Sequence, residues 1–172
     1  MITIISGTNR PGSNTQKVAL EYQRILRERG VTAGLFSLEG INVMHNDAAF
    51  QQIEKEIIIP TTHFIFIVPE YNGSFPGVLK MFFDTGSSHG IWFHKKALLT
   101  GVATGRAGNL RGMDHLADIL NYVKITVHPN RLPISAVDKL LSPDGRFIDE
   151  NTLHSIQQQL DEFISWSTPS AP

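Results

Sequence analysis

The sequence predicts an α/β fold: a five-stranded parallel sheet, doubly wound, with helices on both faces. Three observations carry that prediction. Apolar runs of strand length alternate with stretches whose apolar residues recur at helical spacing. The run His63 to Val68, HFIFIV, is apolar after its first residue, as a central strand covered on both faces requires. Loops of unusual composition follow three of the strand runs, at the end where open parallel sheets bind their ligands.

Ile2 to Ile5 reads as a strand that stops at Ser6. Beyond a polar loop, Val18, Ala19, Tyr22, Ile25 and Leu26 fall on one helical face, and Gly30 closes that helix. Val31 to Leu38 is the second strand. Asn46 or Asp47 caps a short helix through Ile53 and Ile57, which stops near Pro60. After the central strand, Pro76 suits the first turn of a helix carrying Leu79, Phe82 and Phe83. Ala97 to Ala103 is the fourth strand. Met113, Leu116, Ile119, Leu120 and Val123 mark the next helix, Ile125 to Val127 the fifth strand, Asp144-Gly145 a turn, and Leu153, Ile156, Leu160 and Phe163 the last helix. Right-handed crossovers limit the connectivity. A strand order of 2-1-3-4-5 sets the first, third and fourth strands side by side, so their loops converge on one crevice.

Composition narrows the function. The 172 residues suffice for one domain with a substantial core, expected over residues 1–167, with a small, Pro-containing, frayed tail at 168–172. The formal net charge of -1 gives no electrostatic case for nucleic acid or an anionic membrane. The chain has no cysteine, which excludes disulfides, thiolate metal sites and a Cys nucleophile. No segment is apolar for long enough to span a bilayer, and the chain starts as a strand without a basic leader. A cytoplasmic location is the expectation. The seven histidines are scattered without metal-ligand spacing, and no G-x-S-x-G elbow is present. No metal site and no catalytic side chain are assigned.

The first loop joins a buried strand to a helix N-terminus, an arrangement whose free N–H groups and dipole favour an anion. It offers Thr8, Asn9, Ser13, Asn14 and Thr15 as donors and Arg10 as a cation. Gly7 and Gly12 have the spacing of a triphosphate loop, but Ser13 stands where Lys is required. A G-x-G-x-x-G turn is also absent. What remains suits a single phosphate, such as a mononucleotide monoester; the same composition also serves a plain helix cap. In the second loop, Pro69 to Gly77, Tyr71 offers an aromatic face or edge to a flat ring, and Asn72 with the backbone amides can bond ring carbonyls and sugar hydroxyls. The third loop, Thr104 to Asn109, has two glycines that let its backbone approach a ring closely. Arg106 and Arg111 are candidate contacts for a second, anionic nucleotide.

These residues resemble the NADPH-dependent FMN reductase family, whose flavodoxin-like fold is a three-layer sandwich. The first loop, Gly7-Thr8-Asn9-Arg10-Pro11-Gly12-Ser13-Asn14-Thr15, follows the family's G-S-x-R-x-x-S-x-N pattern, shifted at its end. The second signature, P-E-Y-N-x-x-x-P-x-x-L-K, is intact from Pro69 to Lys80. The resemblance implies that Arg10, Ser13, Asn14 and Thr15 hold the FMN phosphate. It implies that Pro69, Glu70, Tyr71, Asn72 and Gly73 line the ribityl chain and ring, and that Thr104, Gly105 and Arg106 close over the far edge. It further implies a hydride passing from NADPH or NADH through flavin N5 to a flavin, quinone, azo compound or similar small acceptor, in a homodimer or homotetramer. A non-enzymatic FMN carrier and a flavin-binding sensor are the alternatives. The chain departs from the family after Lys80, where Asp84 is kept but no aromatic follows it, and again over Ser87 to His94.

Overall fold

A computed structural model of the chain describes residues 1–167; the tail expected at 168–172 lies outside the described residues. The sheet contains β1 (Ile2–Ser6), β2 (Ala33–Ser37), β3 (His63–Pro69), β4 (Lys96–Val102), β5 (Thr126–Val127) and β6 (Leu132–Ile134). Around it pack α1 (Asn14–Glu28), α2 (Ala48–Ile53), α3 (Gly77–Asp84), α4 (Leu110–Tyr122) and α5 (Glu150–Ser167). The strand order is β2-β1-β3-β4-β5, all parallel, as the sequence predicts.

The central strand shows why. Phe64, Phe66 and Val68 point to one side, into a core shared with α2, α3 and α4. Ile65 and Ile67 point to the other, against α1 and α5. Alternation buries both faces, so the strand reads as continuously apolar.

The fifth strand position differs from the expectation of a single strand. β5 pairs only with Lys96 and Ala97, and β6 resumes the pairing at Thr100 to Val102. His128 to Arg131, which includes Pro129, bulges away between them. Buried Gln159 of α5 fills the gap: its Nε2 donates to Leu99 O and to Asn130 O, each at 3.0 Å. Its Oε1 accepts from the Tyr22 hydroxyl at 2.7 Å, and burial pushes the Tyr22 pKa well up.

The second helix also departs from a regular form. Asp47 caps α2 by accepting from Phe50 N at 3.0 Å, and the chain then widens into a π-helical turn over Glu54–Ile58. This turn lets the carboxylate of buried Glu54 accept from Ser87 N at 2.5 Å and from Asn46 Nδ2 at 3.2 Å. The segment that departs from the family pattern is thereby tied to the body of the protein. Its Trp92 is fully buried, with its ring centroid 4.7 Å from that of Phe83.

Two histidines sit beneath α5. Phe163 packs edge-on against both His63 and His128, at 6.1 Å in each case. The His63 Nε2 is buried without a hydrogen-bond partner among the described residues. Burial holds both pKa values below the ordinary histidine value of about 6.5. Lys96 and the N-terminal amine add to the effect at His63, whereas Glu162 opposes it at His128. Just below about pH 6.5 the unfolded chain therefore binds more protons than the native one. Stability from these rings is fully present above that pH and is lost as pH falls toward the folded-state values. Urea titrations from about pH 7 to about pH 5 should show a falling midpoint. His63→Gln combined with His128→Gln should flatten that fall; an equally steep fall in the double variant contradicts the assignment.

Candidate functional site

Parallel register sets the loop origins side by side, with Ser6 opposite Ile67 and Val68 opposite Gly101. The chain leaving β1 turns at once into α1. Ser13 caps that helix, its Oγ accepting from Gln16 N at 3.1 Å. No acidic side chain occupies the first turn. Among the described residues no acceptor meets the N–H of Asn14 or Thr15. Two free amides and the positive end of a 15-residue helix thus face the groove.

The chain leaving β3 makes a tight turn. Tyr71 N donates to Ser74 O at 2.8 Å and Ser74 N to Tyr71 O at 3.1 Å. Asn72 and Gly73 have φ of 52° and 75°, as a type I′ turn requires. On its near side the turn presents Tyr71, whose hydroxyl lies 2.6 Å from the Thr8 hydroxyl. The Arg10 guanidinium stacks over the Tyr71 ring, 4.1 Å from its centroid. On its far side the turn meets α4: Ser74 Oγ lies 2.9 Å from His115 Nδ1.

Arg10, Ser13, Asn14, Thr15, Pro69, Glu70, Tyr71 and Thr104 line one cavity. Thr8, only 1 % exposed, stands behind it and fixes Tyr71. Asn72 and Gly73 lie outside the lining, in the turn beyond Tyr71. Gly105 and Arg106 lie outside it too, with their carbonyls accepting from Ala136 N at 3.1 Å and Ser135 Oγ at 2.5 Å. The third loop thus acts through its backbone, seating the segment that follows β6. That segment supplies Val137, a lining residue that sequence reasoning missed, as it missed Pro11, Val102 and Ala103. Val102 and Ala103 fall at the end of an expected strand and were legible as its outlet. Val137 follows Ala136 in left-handed backbone, φ 49°, and carries no signal in sequence.

The groove therefore has two chemically distinct ends. One holds free amides, hydroxyls and a guanidinium, suited to a phosphate monoester. The other is walled by Pro69, Tyr71, Val102, Ala103 and Val137, suited to a flat ring. These residues fit FMN. Among the described residues no group of three His, Asp or Glu side chains is placed to hold a metal ion.

Comparison with known proteins shows the family and the fold. The profile of a family described as NADPH-dependent FMN reductase matches residues 1–138. An NAD(P)H-dependent FMN reductase of Pseudomonas aeruginosa is 31% identical over 174 residues, covering 94% of this chain and 92% of that one. A 2-hydroxy-1,4-benzoquinone reductase of a Burkholderia species is 26% identical over 116 residues, 65% of this chain and 63% of that one. Among solved structures, the flavoenzyme NAD(P)H:(acceptor) oxidoreductase FerB of Paracoccus denitrificans superposes with a TM-score of 0.79 at 22% identity. That match covers 96% of this chain and 95% of the other, and it shows a shared fold.

The Thr8–Tyr71 contact gives a direct test. Tyr71→Phe keeps the ring under Arg10 and removes one hydrogen bond, so the unfolding free energy should drop by about 1 kcal/mol. Tyr71→Ala should cost more, because the ring and its cation contact are lost as well. Urea denaturation measures both; a Tyr71→Phe protein as stable as the parent would show that the hydroxyl pair contributes nothing.

Proposed function

The chain belongs to the NADPH-dependent FMN reductase family, and from that premise we propose that it binds FMN between α1 and the Tyr71 turn and uses NAD(P)H to reduce a flavin, quinone, azo compound or similar small acceptor. One observation carries this reading: the loop that opens a long helix and an aromatic turn, joined by the Thr8 and Tyr71 hydroxyls 63 residues apart, line or support a single groove.

Bound FMN supplies the hydride-accepting and electron-passing chemistry. The chain's own residues bind and orient. The N–H groups of Asn14 and Thr15 receive the phosphate, with the hydroxyls of Ser13 and Thr15 beside them and Arg10 as counter-charge. Pro69, Glu70 and Tyr71 line the ribityl chain and ring, with Asn72 and Gly73 shaping the turn that carries Tyr71. Thr104 flanks the far edge, held by the backbone of Gly105 and Arg106. Buried Val102, Ala103 and Val137 keep that edge dry. No side chain is required as acid, base or nucleophile. The near-zero net charge supports an enzyme over a carrier, since a carrier that docks by charge needs a strong field of one sign.

Apoprotein mixed with FMN under argon should turn yellow, bleach with NADPH or NADH, and recover colour when quinone, azo or free flavin acceptors are added. Colour that never bleaches overturns the reductase in favour of a carrier or sensor, and failure to take up FMN overturns the flavin site. Arg10→Ala should weaken FMN about tenfold, the loss expected for one charge-assisted hydrogen bond, while riboflavin, which lacks the phosphate, is little affected. An unchanged FMN Kd would remove Arg10 from the phosphate end.

A further inference from the structure

Three N-caps in this fold can be compared. Ser13 and Asp47 each accept a hydrogen bond from a backbone N–H of the helix they open. Asn109, which opens α4, makes no such bond. It is fully buried and sits in left-handed backbone, φ 65° and ψ 32°. Its Nδ2 instead reaches back across the sheet and donates to Val68 O and Pro69 O, both at 3.0 Å. Those are the last two residues of β3, where the flavin loop begins. Its Oδ1 is buried without a donor among the described residues.

The surroundings are shaped for this side chain. A Cβ on Gly112 would lie 2.0 Å from Asn109 Oδ1. A Cβ on Gly101 would lie 3.1 Å from Asn109 Cβ and 2.1 Å from Gly108 O. Gly112 thus clears the volume the amide occupies, and Gly101 makes room for the backbone and Cβ that carry it. A left-handed backbone, an unpaired carbonyl and two emptied positions are all unfavourable to stability taken singly. A helix cap does not require them, and an ordinary capping Asn would turn its oxygen to the helix.

We propose that Asn109 is a positioning residue: its amide fixes the height of the strand end from which Pro69, Glu70 and Tyr71 project, and so sets the ring-side wall of the groove against the phosphate end at α1. This rests on the flavin reading of that groove. The same helix holds the far end of the turn. His115 bonds Ser74, and the Arg111 guanidinium packs so closely on Gly73 that a Cβ there would lie 2.9 Å from Nη1. Tyr71 is thus suspended between the Thr8 hydroxyl and three α4 anchors, Asn109 at the cap and Arg111 and His115 on the helix. Of the α4 anchors, Asn109 is the one shielded from water.

Asn109→Gly tests this with little backbone penalty, because glycine accepts the left-handed conformation. Kd values for FMN and riboflavin are measured by fluorescence titration, alongside Tm. Losing two hydrogen bonds that seat the ring wall should weaken both flavins by the same factor, about tenfold. The FMN-to-riboflavin affinity ratio should stay at the parent value, because the phosphate end is untouched. Phe163→Leu, which loosens the packing on His63 and His128 at the end of the strands away from the groove, serves as a control: it should lower Tm and leave both affinities as they were. Asn109→Asp leaves at most one donor, because a buried carboxyl facing two carbonyl oxygens keeps its proton; it tolerates left-handed backbone and replaces Asn109→Gly if that variant does not fold.

Unchanged flavin affinities in the Asn109 variants overturn the positioning role, whatever happens to Tm. A changed FMN-to-riboflavin ratio overturns it as well, as does an equal loss of affinity in Phe163→Leu. A parent protein that binds neither flavin overturns the flavin reading itself, and is told apart from these outcomes by the parent titration alone.

Discussion

Parallel register among β1, β3 and β4 is the constraint on which the groove depends. Because these strands run the same way, their outlets open on one edge of the sheet. Their relative heights are set by packing. Phe64 and Phe66 belong to the face covered by α2, α3 and α4, and Ile65 and Ile67 to the face covered by α1 and α5. A slip of one residue would exchange the two sets, driving aromatic rings into the space filled by α1 and α5. The apolar pattern of β3 therefore fixes its register, and the register fixes where the Tyr71 turn stands relative to the first turn of α1.

Polar groups then refine what packing has placed. The amide of Gln159 takes over where the β4 ladder is interrupted, satisfying Leu99 O and Asn130 O while the chain bulges around Pro129. That repair allows β6 to pair with the second half of β4 and brings Val137 to the groove. Val137 N donates to Ala103 O at 3.1 Å, closing the path between the sheet edge and the ring-side wall. Buried carbonyls left unpaired in this region would each be costly, so the amide in α5 contributes to the site from a distance without touching it.

Much of this was legible in the sequence because it rests on local periodicity. The alternation of strands and helices, the strand order and the two loops that meet follow from apolar spacing and from glycine, proline and capping residues. Asp47 as a cap and Gly30 as a stop lie where their chemistry places them. What was not legible is non-local. The split of β5 and β6 depends on Gln159, some thirty residues further on, acting as a ladder rung. The π-helical turn at Glu54–Ile58 depends on an acceptor for Ser87. Pro76 stands just before α3 rather than inside it, an offset of one residue at a boundary. In the third loop the resemblance implied that Thr104, Gly105 and Arg106 close over the ring's edge; Thr104 lines the groove, and the carbonyls of Gly105 and Arg106 accept from Ala136 and Ser135.

The central claim is geometric: a phosphate end at α1 and a ring end at Tyr71 belong to one binding groove. A crystal structure of the protein with FMN bound tests it most directly. The phosphate should lie within hydrogen-bond distance of the N–H groups of Asn14 and Thr15, and the isoalloxazine between the Tyr71 turn and the wall formed by Val102, Ala103 and Val137. A flavin seated anywhere else on the molecule, or one whose phosphate points away from α1, would contradict it.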